Sequence, residues 1–202
     1  MSTLAPIDWN AWRASYDSAT FAEQQAFYDR VYCEFPEQDR ASVLVLGKLL
    51  EYIDAPVTVL ELGGWTGALA AETLARHPAI VWWTNYEISR AAASESVCGD
   101  ERYSAVALEE WYWAQEHEGD LFVASHVLEH LSVLDVLATF AATRTRYMYL
   151  QAPLREEPTD WHGYHGSHIL QVGWAALREA LAEHGYREIV DLRCPNVRCF
   201  ER

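Results

Sequence analysis

Val57-Thr58-Val59-Leu60-Glu61-Leu62-Gly63-Gly64-Trp65-Thr66-Gly67-Ala68-Leu69-Ala70-Ala71 is the stretch whose reading decides the fold. Five β-branched or apolar residues and one acid, Glu61, make a short strand, three glycines within five positions make a turn, and alanine and leucine open a helix. Gly63 and Gly64 permit positive φ and a close approach of the backbone to a ligand, and Gly67 lets the helix pack against the strand. Free amides at the helix start attract a polar or anionic group.

Outward from that turn, strands and helices alternate. Strands are expected at Val57–Leu62, Ile80–Tyr86, Tyr103–Leu108, Leu121–Ser125, Arg146–Gln151, Arg187–Leu192 and Val197–Glu201. Helices are expected at Ala68–Arg76, Ser89–Val97, Val127–Ala141 and Val172–His184, the last stopped by Gly185. Such alternation predicts a parallel sheet covered by helices on both faces, with right-handed crossovers. Before residue 56 the pattern is helical. Thr20 and Glu23 form a capping box ahead of a helix that ends at Pro36, and a second helix covers Glu37–Ile53. Two parts of one compact unit follow: an N-terminal extension or lid over residues 1–55, and an α/β part over 56–202.

In an open parallel sheet the ligand sits at the carboxyl ends of the strands, where the glycine turn lies. Glu87 ends the second strand, 87 − 63 = 24 residues beyond Gly63. A carboxylate at about that distance accepts both ribose hydroxyls of a nucleoside. The alternative for the turn with Glu87 is a chance pattern, and for Glu61 a charged strand end facing solvent.

Composition narrows the partners. The chain has 202 residues, 50% of them hydrophobic, with Lys+Arg 15 against Asp+Glu 30 and a formal charge of -15. That balance argues against a nucleic-acid surface and against anionic membranes, since both need clustered cations. No apolar run is long enough for a membrane helix, and the first ten residues lack the features of a secretory signal. Cys33, Cys98, Cys194 and Cys199 form no Cys-x-x-Cys pair, which argues against a zinc ribbon, and their scattered, mostly apolar surroundings point to reduced core thiols and a cytoplasmic location.

Together these residues resemble the class I S-adenosylmethionine-dependent methyltransferases, from about Val57 to Arg202. Glu61-Leu-Gly63-Gly64-Trp65-Thr66-Gly67 is similar to the family's first motif, with Trp65 where the family has a middle glycine. Glu87 looks like its ribose ligand, and Asp120 to Leu131 like its fourth strand and the following helix. The resemblance implies a Rossmann-like, doubly wound, seven-stranded sheet whose last strand is antiparallel. It implies S-adenosyl-L-methionine as cofactor. Glu61, Gly63, Gly64 and Gly67 would then hold its methionine end, and Glu87 its ribose. Glu109, Glu110 or Trp111 would lie near its adenine, and Ser125 and His126 would form the floor beneath the acceptor. Neither the Asp/Asn-Pro-Pro-Tyr segment of base-modifying enzymes nor the carboxylate of magnesium-dependent ones follows the fourth strand. A small-molecule acceptor and no metal are therefore expected.

Histidines supply the candidate chemistry, because methyl transfer needs a positioned acceptor and a base of near-neutral pKa. His126 is the first choice, with a backbone-bonded helix residue as the plain alternative. His130, one turn on, reads as a structural histidine. His162, His165 and His168 recur at three-residue steps in a loop bordering the acceptor site, where imidazoles could orient the acceptor, act as base or bind a metal, or form a plain polar loop; His165 and His168 are further candidate catalytic groups. Trp9, Trp12 and Tyr16 could close over the site or simply pack. Two other classes stay open: a non-catalytic interaction module with Trp65 blocking the cleft, and another nucleotide-dependent enzyme such as a dehydrogenase.

Overall fold

The structure is a computed structural model that describes residues 7–35, 43–156 and 168–202. Helices α1 (Trp9–Ser15), α2 (Phe21–Glu34) and α3 (Val43–Ile53) come first. The alternating part then runs β1 (Val57–Leu62), α4 (Ala68–Arg76), β2 (Ile80–Glu87), α5 (Arg90–Ser94), β3 (Tyr103–Ala107), α6 (Leu108–Trp113) and β4 (His117–Ser125). It ends with α7 (Val133–Ala142), β5 (Thr143–Gln151), α8 (Trp174–Glu183), β6 (Arg187–Glu188) and β7 (Val197–Glu201).

These strands form one seven-stranded sheet in the order β3-β2-β1-β4-β5-β7-β6. The first five are parallel, and β7 runs antiparallel between β5 and β6. The expected doubly wound architecture is therefore the one observed. Strand β1 is buried on both faces, as a central parallel strand should be. Leu60 and Leu62 join α6, α7 and α8 in one core, while Val57 and Val59 join α3 and α4 in the other. Helix α3 thus belongs to a covering layer of the sheet. The chain order reverses between β1 and β4, which opens the crevice in which such folds bind ligands.

Local chemistry explains most element limits. Thr20 and Glu23 form the expected capping box. Helix α5 stops at Ser94, short of the expected Val97, because Ser96 Oγ and the Val97 amide donate to the Thr66 carbonyl instead (3.1 and 2.9 Å). The expected helix over Val127–Ala141 is broken. Leu128–His130 is a single 3₁₀ turn, and Ser132 caps a fresh helix by accepting from the Asp135 amide. Helix α6 was not anticipated, and β4 begins four residues early, because His117–Gly119 pair with Thr143–Thr145. The strand expected over Arg187–Leu192 ends at Glu188 and gives way to a 3₁₀ turn. Cys33 is exposed rather than a core thiol. Among the described residues no helix is long and apolar enough to cross a membrane.

Candidate active site

The glycine turn sits at the carboxyl end of β1, and each glycine there is forced. Gly63 (φ +66°) faces Val127, whose Cγ2 would lie 2.6 Å from an added Cβ. A Cβ on Gly64 would collide with the Glu61 carboxylate and come within 2.8 Å of Asn85 Cγ. Gly67 (φ +78°) would meet the Tyr103 hydroxyl at 2.5 Å. Trp65, where a middle glycine was noted as missing, takes the glycine-like conformation itself at φ +53°. Its ring leaves the turn and meets Tyr32 of α2 edge-on at 5.4 Å.

Beneath the turn, buried polar groups hold it. Asn85 Oδ1 accepts from the Gly64 amide at 2.8 Å, and Glu87 Oε2 from the Trp65 amide at 2.7 Å. Glu87 Oε1 accepts from Ser89 N at 2.8 Å. Glu61 Oε2 accepts from the Trp83 indole at 2.8 Å. Gly63 N donates to the Tyr86 carbonyl, and Gly67 N to that of Gly64. Four of the turn's N–H groups, those of Gly63, Gly64, Trp65 and Gly67, are therefore satisfied internally. Glu61 and Glu87 are 1% and 2% exposed, so neither is a charged strand end facing solvent. Asn85 was missed by the sequence reading. It lies two residues before Glu87, on the same side of β2, and that spacing was the available signal.

Helix α2 closes over this end of the sheet. Asp29 Oδ1 accepts from the Ser89 hydroxyl (2.8 Å) and the Ala91 amide (3.0 Å), and Gln25 donates to the Ile88 carbonyl (3.2 Å). Trp12 stacks on Phe27 with ring centroids 3.9 Å apart, and the Tyr16 hydroxyl donates to Asp135 of α7 (3.2 Å). Tyr28, also missed, faces both acidic centres. Burial raises its phenol pKa, and the nearby charges of Glu87 and Glu129 raise it further.

The second centre lies past β4. His126 has a left-handed backbone, φ +55°, and a half-exposed ring. Its backbone amide donates to the Gln151 carbonyl at 2.7 Å. Gln151 Oε1 accepts from the Tyr149 hydroxyl (2.8 Å) and from Ser125 Oγ (3.2 Å). Those two donors leave the Gln151 amide nitrogen facing His126 Nε2, at 3.0 Å. The ring therefore carries its proton on Nδ1 and donates it to Glu129 Oε1 at 3.1 Å. That hydrogen bond raises the His126 pKa against the opposing effect of burial. In Glu129, 1% exposed, burial favours the protonated acid, but the His126 bond and the neighbouring imidazoles outweigh it and hold the carboxyl low. Gln151 was legible only as a polar residue ending an apolar strand.

His168 is buried and meets the His130 ring edge-on at 5.4 Å. Burial and the proximity of His130 push its pKa down to about 4. His162 and His165 lie outside the described residues. Glu109 pairs with Arg90 at 3.2 Å at the start of α6. Trp111 is buried, and its ring stacks on His117 at 3.6 Å.

No family model matches the chain, and no curated protein sequence matches it. Solved structures do. CalO1, a methyltransferase of calicheamicin biosynthesis in its SAH-bound form, superposes with a TM-score of 0.60 at 15% identity. That match covers 97% of this chain and 63% of CalO1. The magnesium protoporphyrin IX methyltransferase of Synechocystis PCC 6803, with bound SAM, gives 0.52 at 14% identity, over 99% of this chain and 98% of that one. The methyltransferase domain of bacterial CtHen1 gives 0.58 at 16%, over 78% and 95%. The chain has the Rossmann-like fold of class I S-adenosylmethionine-dependent methyltransferases.

Proposed function

We propose that this chain is an S-adenosylmethionine-dependent methyltransferase acting on a small-molecule acceptor in the cytoplasm. The observation that carries the reading is the half-buried, side-chain-free turn Gly63–Gly64 at the β1/β4 crevice, with Glu87 directly beneath it. Its support is the fold shared with SAH-bound CalO1 and the SAM-bound Synechocystis enzyme. The charge of -15 supports a small acceptor over a nucleic acid.

The cofactor would bring a methyl group on a positively charged sulfur. Backbone at Gly63 and Gly64 would lie against its methionine end, with the Glu61 charge below. Glu87 would take the ribose hydroxyls by turning out from beneath the turn and giving up the Trp65 amide. Glu109 and Trp111 flank the adenine end in this reading, and Gly67 sets the turn's width. Helix α2 would keep water from the crevice. His126 would accept the acceptor's proton at Nε2, displacing the Gln151 amide, while buried Glu129 orients the ring from Nδ1 and stabilises the imidazolium. Ser125 supports that amide.

Calorimetry with S-adenosylhomocysteine tests the reading. Binding is expected, and Glu87→Gln should weaken it about 5- to 150-fold, the worth of a charged hydrogen bond at about 1–3 kcal/mol. Absence of heat and of any thermal shift at ~1 mM ligand would overturn the enzyme reading and leave an interaction module.

A further inference from the structure

Glu129, His130 and His168 converge although 38 residues separate the last two (168 − 130). Glu129 and His130 close the 3₁₀ turn after β4. His168 is held beside them because the Ile169 and Leu170 amides donate to the Glu129 carbonyl, at 2.7 and 3.2 Å. One donor atom from each side chain lies within 4.8 Å of the other two. Glu129 and His168 are buried, and His130 is half-buried.

The carboxylate of Glu129 is divided. Its Oε1 accepts from His126, while its Oε2 is buried with no hydrogen-bond partner among the described residues. An anionic oxygen left in that state costs several kcal/mol unless a cation lies close to it. Among the described residues every other ion pair uses arginine, and the only ion-pair partner of Glu129 is His126.

We propose that Glu129, His130 and His168 bind a divalent transition-metal ion of the zinc type. Two imidazole nitrogens and one carboxylate oxygen suit Zn²⁺ or Co²⁺, whereas Mg²⁺ and Ca²⁺ prefer all-oxygen sites. Metal–ligand bonds of about 2.0–2.2 Å place tetrahedral donors about 3.4 Å apart, so donors now within 4.8 Å of one another draw in by at most about 1.4 Å on loading. Three protein ligands leave a fourth position for water or an exogenous oxygen. His126, bonded to the same carboxylate, supplies the outer partner that fixes a ligand's orientation. The site departs from the metal-free expectation drawn from the sequence.

The experiment is a Co²⁺ titration of chelator-stripped full-length protein, read by visible ligand-field absorption, by calorimetry and by melting temperature. One Co²⁺ per chain is expected, displaceable by Zn²⁺ and insensitive to Mg²⁺, with a raised melting temperature. His130→Ala and His168→Ala should each weaken binding on the order of 100-fold, and His184→Ala should not. Circular dichroism and S-adenosylhomocysteine binding report whether each variant folds. If His168→Ala does not fold, His130→Ala decides alone. Unchanged affinity in the folded variants, or no binding by the wild type, would overturn the metal site. Retained S-adenosylhomocysteine binding in that same sample would leave the methyltransferase reading intact.

Discussion

Replacing Gly64 with alanine puts the architecture of the turn to a direct test. The added methyl has no vacant space. It falls onto the Glu61 carboxylate and within 2.8 Å of Asn85 Cγ. Glu61 is fixed by the Trp83 indole at 2.8 Å, and Asn85 by the Gly64 amide at 2.8 Å and the Tyr103 hydroxyl at 3.0 Å. Both obstacles are buried, so neither escapes into solvent. Overpacking a buried site costs about 1–3 kcal/mol. Displacing a buried charged acceptor from its donor adds about 1.5–3 kcal/mol. Partial relaxation makes the two less than additive, and a loss of about 3 kcal/mol is expected, or roughly 6–12 °C in melting temperature for a chain of this length. Gly99→Ala is the matched control, because an added Cβ there meets nothing within 4 Å. It should shift stability by less than about 0.5 kcal/mol. Urea unfolding of both variants beside wild type gives the numbers. Equal stability of Gly64→Ala and Gly99→Ala would refute the buried-acid cradle beneath the turn.

Two further outcomes follow from groups outside the turn. Asp29→Ala removes the two hydrogen bonds that pin α2 to the start of α5, so limited proteolysis within residues 9–35 should quicken several-fold while the sheet's amides stay protected from exchange. Uniform loss of protection would show that α2 is not a separable cover. Glu156 is held at about 2, below its ordinary 4.5, by hydrogen bonds from Arg178 (2.6 Å) and Arg198 (2.7 Å). A depressed carboxyl contributes stability above its unfolded pKa and loses it as pH falls through the folded one. The melting-temperature gap between wild type and Glu156→Gln should therefore be full at pH 7 and shrink from about 4.5 toward 2. The effect is modest because Glu156 is half exposed, and a gap that widens on acidification would contradict the assignment.

Local periodicity and turn chemistry determined much of this protein in advance. Strand β1, the Gly63–Gly67 turn, α4, the Thr20 capping box and the closing β7 lie where the residues alone place them, since apolar runs, glycines and caps act over a few positions. The parallel sheet was also foreseen from the alternation of strands and helices, and its one antiparallel strand through resemblance. Tertiary structure decided the rest. Ser96 and Val97 left helix α5 because the Thr66 carbonyl offered a partner 30 residues back in the chain. Glu61 and Glu87 became buried supports of a backbone turn, an outcome set by which amides pack above them. Trp65 turned its ring to α2, and His168 came to rest against Glu129, because side chains distant in sequence met only after the sheet and its crossovers had formed. Spacing along the chain fixes neighbours within a helix or strand. Which polar groups are sealed from water together depends on packing between elements, and that packing sets the chemistry of this site.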